Sequence, residues 1–553
     1  MKDKSENIVM KNVDEVTNTK KAEISHLNKA MESYDVIIVG CGPVGATLAN
    51  YLKLYGHNVA IFDRDKEPFP VPRATLFDDE TVRTYQEIGI LNRIHEEDHI
   101  YEGDISISDS KNRILMSYDR YNTGEDLISG RCGHYQMTMI DQPGVERVLR
   151  DSFNNGSDKV DAYYGYEVLS VTNGDQKARI VTKNLDTEEE QEFEAEYIIG
   201  CDGGQSLVRR TLGVDRVDIG YTEDYLVVDA YVDDDDYYRT RIPDGAIIYL
   251  DPKKCGVICK GLHNHVRFDF LRHPAVMKDA ASKDENDFAE AARDLIISRG
   301  HDPNKFRIVR HAPYSFYAGM PSKWRVGRLL VAGDAAHQTP PWSGQGVNMG
   351  TRDTANLSFK LHLVLSGKAS DKLLDTYDEE RRPASMKTIQ GAVDMGKLMQ
   401  TANPIKTTIR NFVFSMGGRS RLVNRKLFKN WQRKPTFTDG FLGKTSHLAG
   451  SPMIQPIVDD INGKSHLLDD LVGLNFALIT TNSPMGKSVY RFRKELNGTV
   501  LKLGMDFEDP DETLLQWFRK NKVNAVLVRP DRYIFDAGVD CDSLCETLFR
   551  KLK

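Results

Sequence analysis

The chain of 553 residues has no run of 18 apolar residues, so the sequence predicts no segment that spans a bilayer. It has only seven cysteines, an odd number without short regular spacings, which argues against a disulfide-built secreted domain. Residues 1–33 are polar, mixed in charge and without the apolar core of a signal peptide, so we expect a polar N-terminal tail. These absences together predict a cytoplasmic protein without a membrane span.

An excess of positive charge is also missing. The net charge is −7 at pH 7, which argues against a nucleic-acid partner, because proteins that bind nucleic acid are usually basic. The composition, 40% hydrophobic and 28% charged, is typical of a globular protein. The chain is too long for one ordinary core, so we expect several structural units.

The first clear unit is a strand, a helix and a second strand. Asp35–Gly40 reads DVIIVG, an apolar run typical of a strand covered on both faces. The segment Gly40–Gly45 matches the G-x-G-x-x-G fingerprint of a dinucleotide site, and Asp63 follows 23 residues after Gly40. Glycines at these positions allow a tight turn, the approach of a pyrophosphate and close helix packing. The fingerprint alone leaves NAD and FAD both open.

Two later stretches join an apolar strand to a polar, glycine-rich loop. They read YIIGCDGGQSLVRRTLG (197–213) and GRLLVAGDAAHQTPPWSGQGVN (327–348). Between them, short alternating runs at 214–325 predict antiparallel strands. After a basic segment at 424–437, apolar runs at 475–480, 499–504 and 524–528 alternate with helical patterns and predict a separate C-terminal unit.

The three motifs, in this order, resemble those of the single-component FAD-dependent aromatic hydroxylases, the p-hydroxybenzoate hydroxylase-like class A flavoprotein monooxygenases. The resemblance extends over about residues 34–400 and includes PRATLFDDETVRTYQEIGI (72–90) and DQPGVERVLR (141–150). Over its whole length the chain is most similar to the 3-(3-hydroxyphenyl)propionate hydroxylase branch. This resemblance selects FAD, a choice that the first fingerprint leaves open.

The resemblance implies an α/β fold with three parts. A Rossmann-like FAD-binding domain is expected from residues 34–213 and 326–425, with an inserted antiparallel β-sheet substrate domain at 214–325. A thioredoxin-like C-terminal domain is expected at 440–553. Cys541 and Cys545 have the spacing C-x3-C instead of C-x-x-C, so we expect this last domain to be structural or interfacial.

The implied activity is that of an oxidoreductase. NADH or NADPH reduces FAD, and dioxygen then hydroxylates a small phenolic aromatic substrate through a flavin hydroperoxide. We expect a monocyclic phenol with a short acid chain, such as 3-(3-hydroxyphenyl)propionate; a larger polyketide or antibiotic is the alternative. The reaction needs no metal ion, so none is expected, and the protein is expected to be a monomer or a homodimer.

Two rival classes share the cofactor fold. A flavin-dependent halogenase is expected to contain W-x-W, and the four tryptophans never have this spacing. A non-hydroxylating FAD-binding protein, such as an escort protein of small GTPases, has no reason to keep the loop that follows Asp334.

The resemblance also assigns cofactor-binding residues. Asp63 would bind the adenosine ribose, Arg73 and Gln142 the pyrophosphate–ribityl region, and Asp334 a ribityl hydroxyl, while Asp202 would shape the region that FAD and the nicotinamide nucleotide share. Backbone N–H groups around Gly344–Asn348 would face the pyrimidine edge of the flavin. The full expected set is Gly40, Gly42, Pro43, Val44, Gly45, Asp63, Arg64, Arg73, Gln142, Asp202, Gly333, Asp334, Pro341, Gly344, Gln345, Gly346, Val347 and Asn348.

A phenol reacts more readily when its hydroxyl loses a proton, so a base or a hydrogen-bond relay is expected. The sequence assigns no catalytic residue, and an ordinary structural role stays open for each candidate: His263, His265, Tyr249, Tyr317 and Arg267. Arg267 is the candidate that would pair with a substrate carboxylate. His337 is interpreted as a structural histidine beside the flavin, and Trp342 either walls the pocket or packs the loop.

Overall fold

The computed structural model describes residues 32–118, 132–154, 158–272, 285–420, 422–424 and 435–553. The expected N-terminal tail therefore lies outside the described residues, except for Glu32 and Ser33, which already belong to the first strand. Within the described ranges, no helix is both long enough and apolar enough to cross a membrane.

The first part of the chain alternates strands and helices, as the sequence predicts. Its strands are β1 (Glu32–Val39), β2 (Val59–Asp63), β3 (Leu76–Phe77), β4 (Ile100–Glu102), β5 (Ile105–Ser108), β6 (Ile114–Tyr118), β7 (Thr138–Ile140), β8 (Val160–Tyr164), β9 (Tyr166–Thr172), β10 (Ala178–Asn184) and β11 (Glu190–Gly200). Its helices are α1 (Pro43–Leu54), α2 (Asp79–Glu87), α3 (Leu91–Glu96), α4 (Gln142–Asn154) and α5 (Leu207–Thr211).

The middle of the chain is rich in strands. These are β12 (Arg216–Val232), β13 (Ala246–Tyr249), β14 (Gly256–Lys260), β15 (His265–Leu271), β16 (Phe306–Pro321), β17 (Arg325–Val326) and β18 (Leu329–Val331). Two helices interrupt them, α6 (Asp235–Arg241) and α7 (Glu285–Ser298).

The last part contains three long helices and a smaller α/β unit. The strands are β19 (Ile457–Asp460), β20 (Ser465–Leu467), β21 (Ala477–Thr480), β22 (Thr499–Lys502), β23 (Phe507–Glu508), β24 (Ala525–Val528) and β25 (Ile534–Gly538). The helices are α8 (Gly346–Leu365), α9 (Asp375–Met399), α10 (Pro404–Arg419), α11 (Leu468–Val472), α12 (Lys487–Leu496), α13 (Thr513–Asn521) and α14 (Cys541–Leu552).

The largest sheet brings the three sequence motifs to one edge. Strands β18, β11, β1, β2 and β8 run parallel in this order, and β17, β10 and β9 extend the sheet. In the register of the central strands, Val39 lies beside Gly200, and Gly200 lies beside Val331. Each of these residues ends its strand directly before a motif. Ligands of parallel α/β sheets bind at this carboxyl edge.

A second sheet has seven strands in the order β16-β12-β15-β14-β13-β5-β6. It contains the antiparallel strands predicted at 214–325, but β5 and β6 come from the stretch that the sequence assigns to the FAD-binding domain. Strand β5 pairs in parallel with β13. Helix α7 packs on one face, and the other face carries an apolar cluster that includes Trp342 of the third motif.

The C-terminal unit contains a four-stranded sheet, as the apolar runs predict. Its order is β22-β21-β24-β25, with β21 and β22 parallel and the other pairs antiparallel. Apolar clusters cover both faces. The strands predicted at 475–480, 499–504 and 524–528 are thus present, in one sheet.

A buried ion network joins this unit to the long helices. Arg529, in the turn between β24 and β25, donates to Glu380 of α9 at 2.7 and 3.0 Å, and Lys360 of α8 donates to Glu380 at 2.9 Å. All three side chains are fully buried. Burial opposes ionisation of Glu380, but Arg529 and Lys360 outweigh it and lower the pKa of Glu380 to about 2.

Candidate functional site

The glycine fingerprint forms a tight turn with one open position. Gly40 has φ of 101°, and a methyl group at this position would lie 2.5 Å from the carbonyl oxygen of Cys201. A methyl group at Gly45 would lie 1.9 Å from the carbonyl oxygen of Gly40. A methyl group at Gly42, in contrast, would meet no atom within 4 Å. Gly42 caps α1, Pro43 is its first residue, and no side chain hydrogen-bonds to the first N–H groups of the helix.

Asp63, at the end of β2, lies against the fingerprint. Its Oδ2 atom accepts a hydrogen bond of 2.7 Å from the N–H of Cys41, and Arg150 donates to the carbonyl oxygen of Cys41 at 3.1 Å. The neighbouring Arg64 has an exposed side chain close to Asp65. The sequence-predicted Asp63 is therefore held in the motif, whereas Arg64 lies on the surface.

The segment before β3 is held by side chains of two elements, α4 and β15. The Oε1 atom of Gln142 accepts hydrogen bonds from the backbone N–H groups of Arg73 (2.9 Å) and Ala74 (2.5 Å). From the second sheet, Arg267 donates to the carbonyl oxygens of Pro72 (2.6 Å) and Arg73 (3.1 Å). Gln142 thus holds the backbone at Arg73, the other residue that the resemblance places at the pyrophosphate–ribityl region.

Arg209 connects the second motif to the third. Asp202 accepts from the N–H groups of Leu207 (2.7 Å) and Val208 (3.2 Å), which orders the start of α5. The guanidinium of Arg209 then donates to the carbonyl oxygens of Gly204 (2.6 Å) and Ala335 (3.2 Å). Asp202 therefore shapes the turn, and Arg209 binds the two motifs together.

The third motif packs directly on the first. Gly333 has φ of 63°, and methyl groups at Gly333 and Gly350 would lie 2.9 and 2.4 Å from the side chain of Val44. Asp334 is exposed beside this contact. The protein around the cleft still desolvates its carboxylate and raises its pKa, although His337, Arg73 and Arg209 oppose the shift.

The loop that follows leads into an uncapped helix. Pro341 begins a short 3-10 turn, Gly344 ends it with φ of 61°, and no side chain caps α8 at Gly346. Asn348 fixes this loop, because its Nδ2 donates to the carbonyl oxygen of Gly344 (2.7 Å) and its Oδ1 accepts from the N–H of Asp78 (3.0 Å). The first N–H groups of α8, from Gly346 and Val347 onward, remain available to an anionic group.

Two aromatic side chains of this loop have partners inside the protein. His337 is buried, and its Nε2 lies 2.8 Å from Asp353, which also pairs with Arg381 at 2.9 Å. Although burial raises the pKa of Asp353, the charges of His337 and Arg381 hold it below its usual value. Trp342 is also buried and donates to the hydroxyl of Tyr221 at 3.1 Å. His337 thus has the contacts of a structural residue.

The five substrate-activating candidates do not converge. His265 is buried and lies 3.0 Å from Asp229, and Tyr249 packs beneath the guanidinium of Arg299 at 4.3 Å. Arg267 pairs with Asp269 at 2.8 Å, which is the structural ion pair that the sequence left open. His263 lies in the turn between β14 and β15, and Tyr317 is exposed on β16.

A polar cluster that sequence reasoning missed lies against Trp342. Tyr221, Glu223 and Tyr225 project from one face of β12, and Gln400 donates to the carboxylate of Glu223 and to Tyr225 (3.2 Å). Burial raises the pKa of Glu223, and the donated hydrogen bonds from Gln400 and Tyr221 oppose this only in part. Because Tyr221, Glu223 and Tyr225 are two residues apart on one strand, the sequence could have predicted that they share a face. No pattern in the sequence indicated that Gln400 would lie against them.

The residues fit FAD. The open position at Gly42 and the uncapped end of α1 suit a pyrophosphate, and Asp63 lies beside them. The exposed carboxylate of Asp334 and the uncapped end of α8 continue along the same sheet edge. A dinucleotide that carries a flavin spans both ends of this cleft. The fold and the site therefore define a Rossmann-like flavoprotein.

The comparison with known families agrees. Residues 33–392 match the family described as FAD binding domain, and the chain belongs to this family. Residues 450–551 match the HcaD C-terminal domain.

Known relatives cover almost the whole chain. A 3-(3-hydroxy-phenyl)propionate/3-hydroxycinnamic acid hydroxylase of Mycolicibacterium gilvum (strain PYR-GCK) is 29% identical over 533 residues, 91% of this chain and 89% of the relative. A probable NADH-specific resorcinol 4-hydroxylase of Rhodococcus jostii (strain RHA1) is 28% identical and covers 93% of both chains. The crystal structure of the flavin-dependent monooxygenase PieE, in complex with FAD and substrate, has a TM-score of 0.78 at 21% identity. That similarity covers 95% of this chain and all of PieE.

Proposed function

We infer that this protein is an FAD-dependent aromatic monooxygenase that uses NAD(P)H and dioxygen to hydroxylate a phenolic ring. The observation that carries this inference is the alignment of Val39, Gly200 and Val331, which brings three motifs to one sheet edge opposite an apolar face of a second sheet. The hydroxylase names of the full-length relatives support the same activity.

When bound, FAD accepts a hydride from the nicotinamide nucleotide and activates dioxygen. The chain would bind and orient it: N–H groups of α1 would hold the pyrophosphate, Asp63 a ribose hydroxyl and Asp334 a ribityl hydroxyl. N–H groups near Gly344–Asn348 would stabilise negative charge on the flavin ring. Because the R. jostii relative is described as NADH-specific, NADH is the preferred reductant in this proposal.

The aromatic ring binds between the second sheet and the loop around Trp342. The apolar cluster there supplies its walls, including Tyr225, Ile248, Cys259 and Phe316. Tyr221 and Tyr225 hold the ring hydroxyl, and the Oε atoms of Glu223 accept its proton. Burial raises the pKa of Glu223, which makes its carboxylate a stronger proton acceptor than an exposed glutamate.

The substrate is a monocyclic phenol with a short acid chain, as the name of the M. gilvum relative suggests. A panel of 3-(3-hydroxyphenyl)propionate, resorcinol and larger polycyclic phenols tests this with purified enzyme and FAD. We expect 3-(3-hydroxyphenyl)propionate to stimulate NADH oxidation most, and its product to contain one oxygen atom from ¹⁸O₂. If no phenol stimulates oxidation and no oxygenated product forms, the proposal is wrong.

We further propose a thioredoxin-like C-terminal domain and a cytoplasmic location. The strand order β22-β21-β24-β25 supports a thioredoxin-like fold for residues 440–553. Cys541 and Cys545 are buried on α14, which supports a structural instead of a redox role for this domain.

All seven cysteines are free, in keeping with a cytoplasmic location. The protein is expected to be a monomer or a homodimer, and size-exclusion chromatography with light scattering would distinguish the two.

A further inference from the structure

His99, directly before β4, Asp141, directly after β7, and His263, between β14 and β15, converge in space. Nδ1 of His99 lies 3.1 Å from Oδ2 of Asp141, and Nε2 of His263 lies 3.8 Å from the same oxygen. One nitrogen or oxygen atom from each residue lies within 4.8 Å of the other two. The three residues come from three elements: the segment after α3, the start of α4 and the turn between β14 and β15.

The buried histidine of this cluster is oriented like a metal ligand. His99 is only 8% exposed, and within the described chain its Nδ1 atom is buried without a hydrogen-bond partner. Its other ring nitrogen, Nε2, lies 3.3 Å from the carboxylate of Glu97. Histidines that bind metals commonly hold their second nitrogen against a carboxylate, which orients the ring. The Nδ1 atom makes no hydrogen bond although it lies 3.1 Å from Oδ2 of Asp141, and it is the atom of His99 that lies close to both Asp141 and His263.

A glycine makes room for the convergence. A methyl group at Gly144, in the first turn of α4, would lie 2.2 Å from Nδ1 of His99 and 2.4 Å from Oδ2 of Asp141. Any larger residue at this position would push the two ligand atoms apart. The site thus depends on a fourth residue that binds nothing itself.

We propose that Nδ1 of His99, Oδ2 of Asp141 and Nε2 of His263 bind one Zn²⁺ ion, with water completing the coordination. Zinc bonds to nitrogen and oxygen are about 2.0–2.2 Å long, so tetrahedral ligand atoms lie about 3.3–3.6 Å apart. The distances of 3.1 and 3.8 Å require only a small adjustment. Arg147, whose Nη2 lies 3.9 Å from Asp141, has an exposed side chain and turns away when the ion binds.

Part of this site has a sequence signal. Residues 95–99 read HEEDH, which has the spacing of the helical H-E-x-x-H zinc motif. The expectation that the protein binds no metal did not take this motif into account. That helical motif does not form, since α3 ends at Glu96, Asp98 has φ of 57°, and His95 is exposed while His99 is buried. His99 instead takes its partners from residues distant in sequence.

The role of the ion is structural. Asp141 directly precedes Gln142, which holds the N–H of Arg73, and the turn with His263 leads into β15, whose Arg267 holds the carbonyl oxygen of Arg73. A bound ion would therefore connect the two elements whose side chains, Gln142 and Arg267, hold the segment 72–74. It takes no part in the hydroxylation chemistry.

Zinc titration of the purified, FAD-loaded enzyme after chelator treatment tests the proposal. Isothermal titration calorimetry should give one Zn²⁺ per chain, and Zn²⁺ should raise the Tm. His263→Asn should weaken binding about 10-fold or more and abolish the rise in Tm, because a ligand is lost. Asparagine tolerates the left-handed backbone of residue 263, where φ is 51°, so this variant should fold.

Two further variants separate this site from general zinc binding. Gly144→Ala keeps all three ligands but should also weaken Zn²⁺ binding about 10-fold or more, whereas His466→Asn, at a partly exposed histidine 3.3 Å from Asp460, should bind Zn²⁺ as the parent does. Circular dichroism confirms folding of each variant. Absence of Zn²⁺ binding by the parent, or equal binding by the parent and His263→Asn, would overturn the proposal.

Discussion

The Nη1 atom of Arg267, on β15 of the second sheet, donates a hydrogen bond of 2.6 Å to the carbonyl oxygen of Pro72, almost 200 residues earlier in the chain. Together with Gln142, which accepts from the N–H of Arg73, it holds the segment beside the flavin cleft from both sides. Arg267 was a candidate for the substrate carboxylate. Its guanidinium is instead buried against Asp269 and the backbone, so it is a positioning residue.

Arg267→Met should therefore lower FAD affinity without removing any group that contacts FAD. We expect a loss of about 3–5 kcal/mol of stability, because Asp269 would keep a buried and uncompensated charge. The measurements are urea unfolding and fluorescence titration with FAD. Arg307→Met is the matched control, since Arg307, on β16, makes an exposed pair with Asp233, the residue directly after β12. Equal effects of the two variants would contradict this role.

Gly42 and Gly45, two of the three fingerprint glycines, should respond differently to substitution by alanine. Gly42→Ala should fold normally, because the methyl group meets no protein atom, but it should crowd the pyrophosphate and lower FAD affinity about tenfold. Gly45→Ala should destabilise the protein itself, because the methyl group would lie 1.9 Å from the carbonyl oxygen of Gly40. Thermal unfolding of the apoprotein and FAD titration distinguish these outcomes. If Gly42→Ala also unfolded the apoprotein, the open position would not be the phosphate site.

Glu223 should control the pH dependence of turnover. Because its pKa is raised by burial, the fall of kcat/KM for the phenol on the acid side should lie above the ordinary glutamate pKa of 4.5. Glu223→Gln should abolish this fall and lower kcat by about 10²–10⁴-fold, the usual contribution of a general base. FAD affinity should stay unchanged. Tyr317→Phe, on the same sheet but exposed, is the control. An unchanged pH profile in Glu223→Gln would exclude the role.

The buried network of Glu380, Lys360 and Arg529 should make docking of the C-terminal unit sensitive to acid. The folded-state pKa of Glu380 is about 2, below its ordinary value of 4.5, so its stabilisation is fully present above pH 4.5 and is lost as the pH falls toward 2. Glu380→Gln should lower stability at pH 7 by about 3–5 kcal/mol and flatten its decline below pH 4.5.

Urea unfolding between pH 2 and pH 8 measures this effect. Glu495→Gln is the control, because Glu495 pairs with Arg491 on an exposed helix surface and should leave the unfolding midpoint unchanged. A parallel decline of the parent and Glu380→Gln below pH 4.5 would show that another carboxylate is responsible.

The sequence predicted the elements that local patterns encode. The apolar run before Gly40, the glycine fingerprint and Asp63 are adjacent or nearly so, and each glycine has a steric reason that is visible in one strand–helix unit. The alternating runs predicted the second sheet, and the C-terminal strands formed near the expected positions. Periodicity succeeds here because each element buries one face or both against its own neighbours.

Several features depended on pairings between distant residues. Strands β5 and β6 join the second sheet because β5 pairs with β13, about 140 residues later in the chain. The cluster of Glu223 and Gln400, the link from Arg267 to Pro72 and the convergence of His99, Asp141 and His263 each join separate elements. Hydrogen bonds and ligand geometry depend on distances in space, which no residue pattern along one segment specifies.

The sequence by itself therefore determined the class of cofactor and the chain's family resemblance. Three motifs made of local turns were sufficient, because each motif carries its own strand, glycine and acid. Only the tertiary structure decided how these motifs meet, since the register of Val39, Gly200 and Val331 comes from pairing of strands far apart in the chain. The same long-range packing decided which polar side chains lie against Trp342 and which support the segment 72–74.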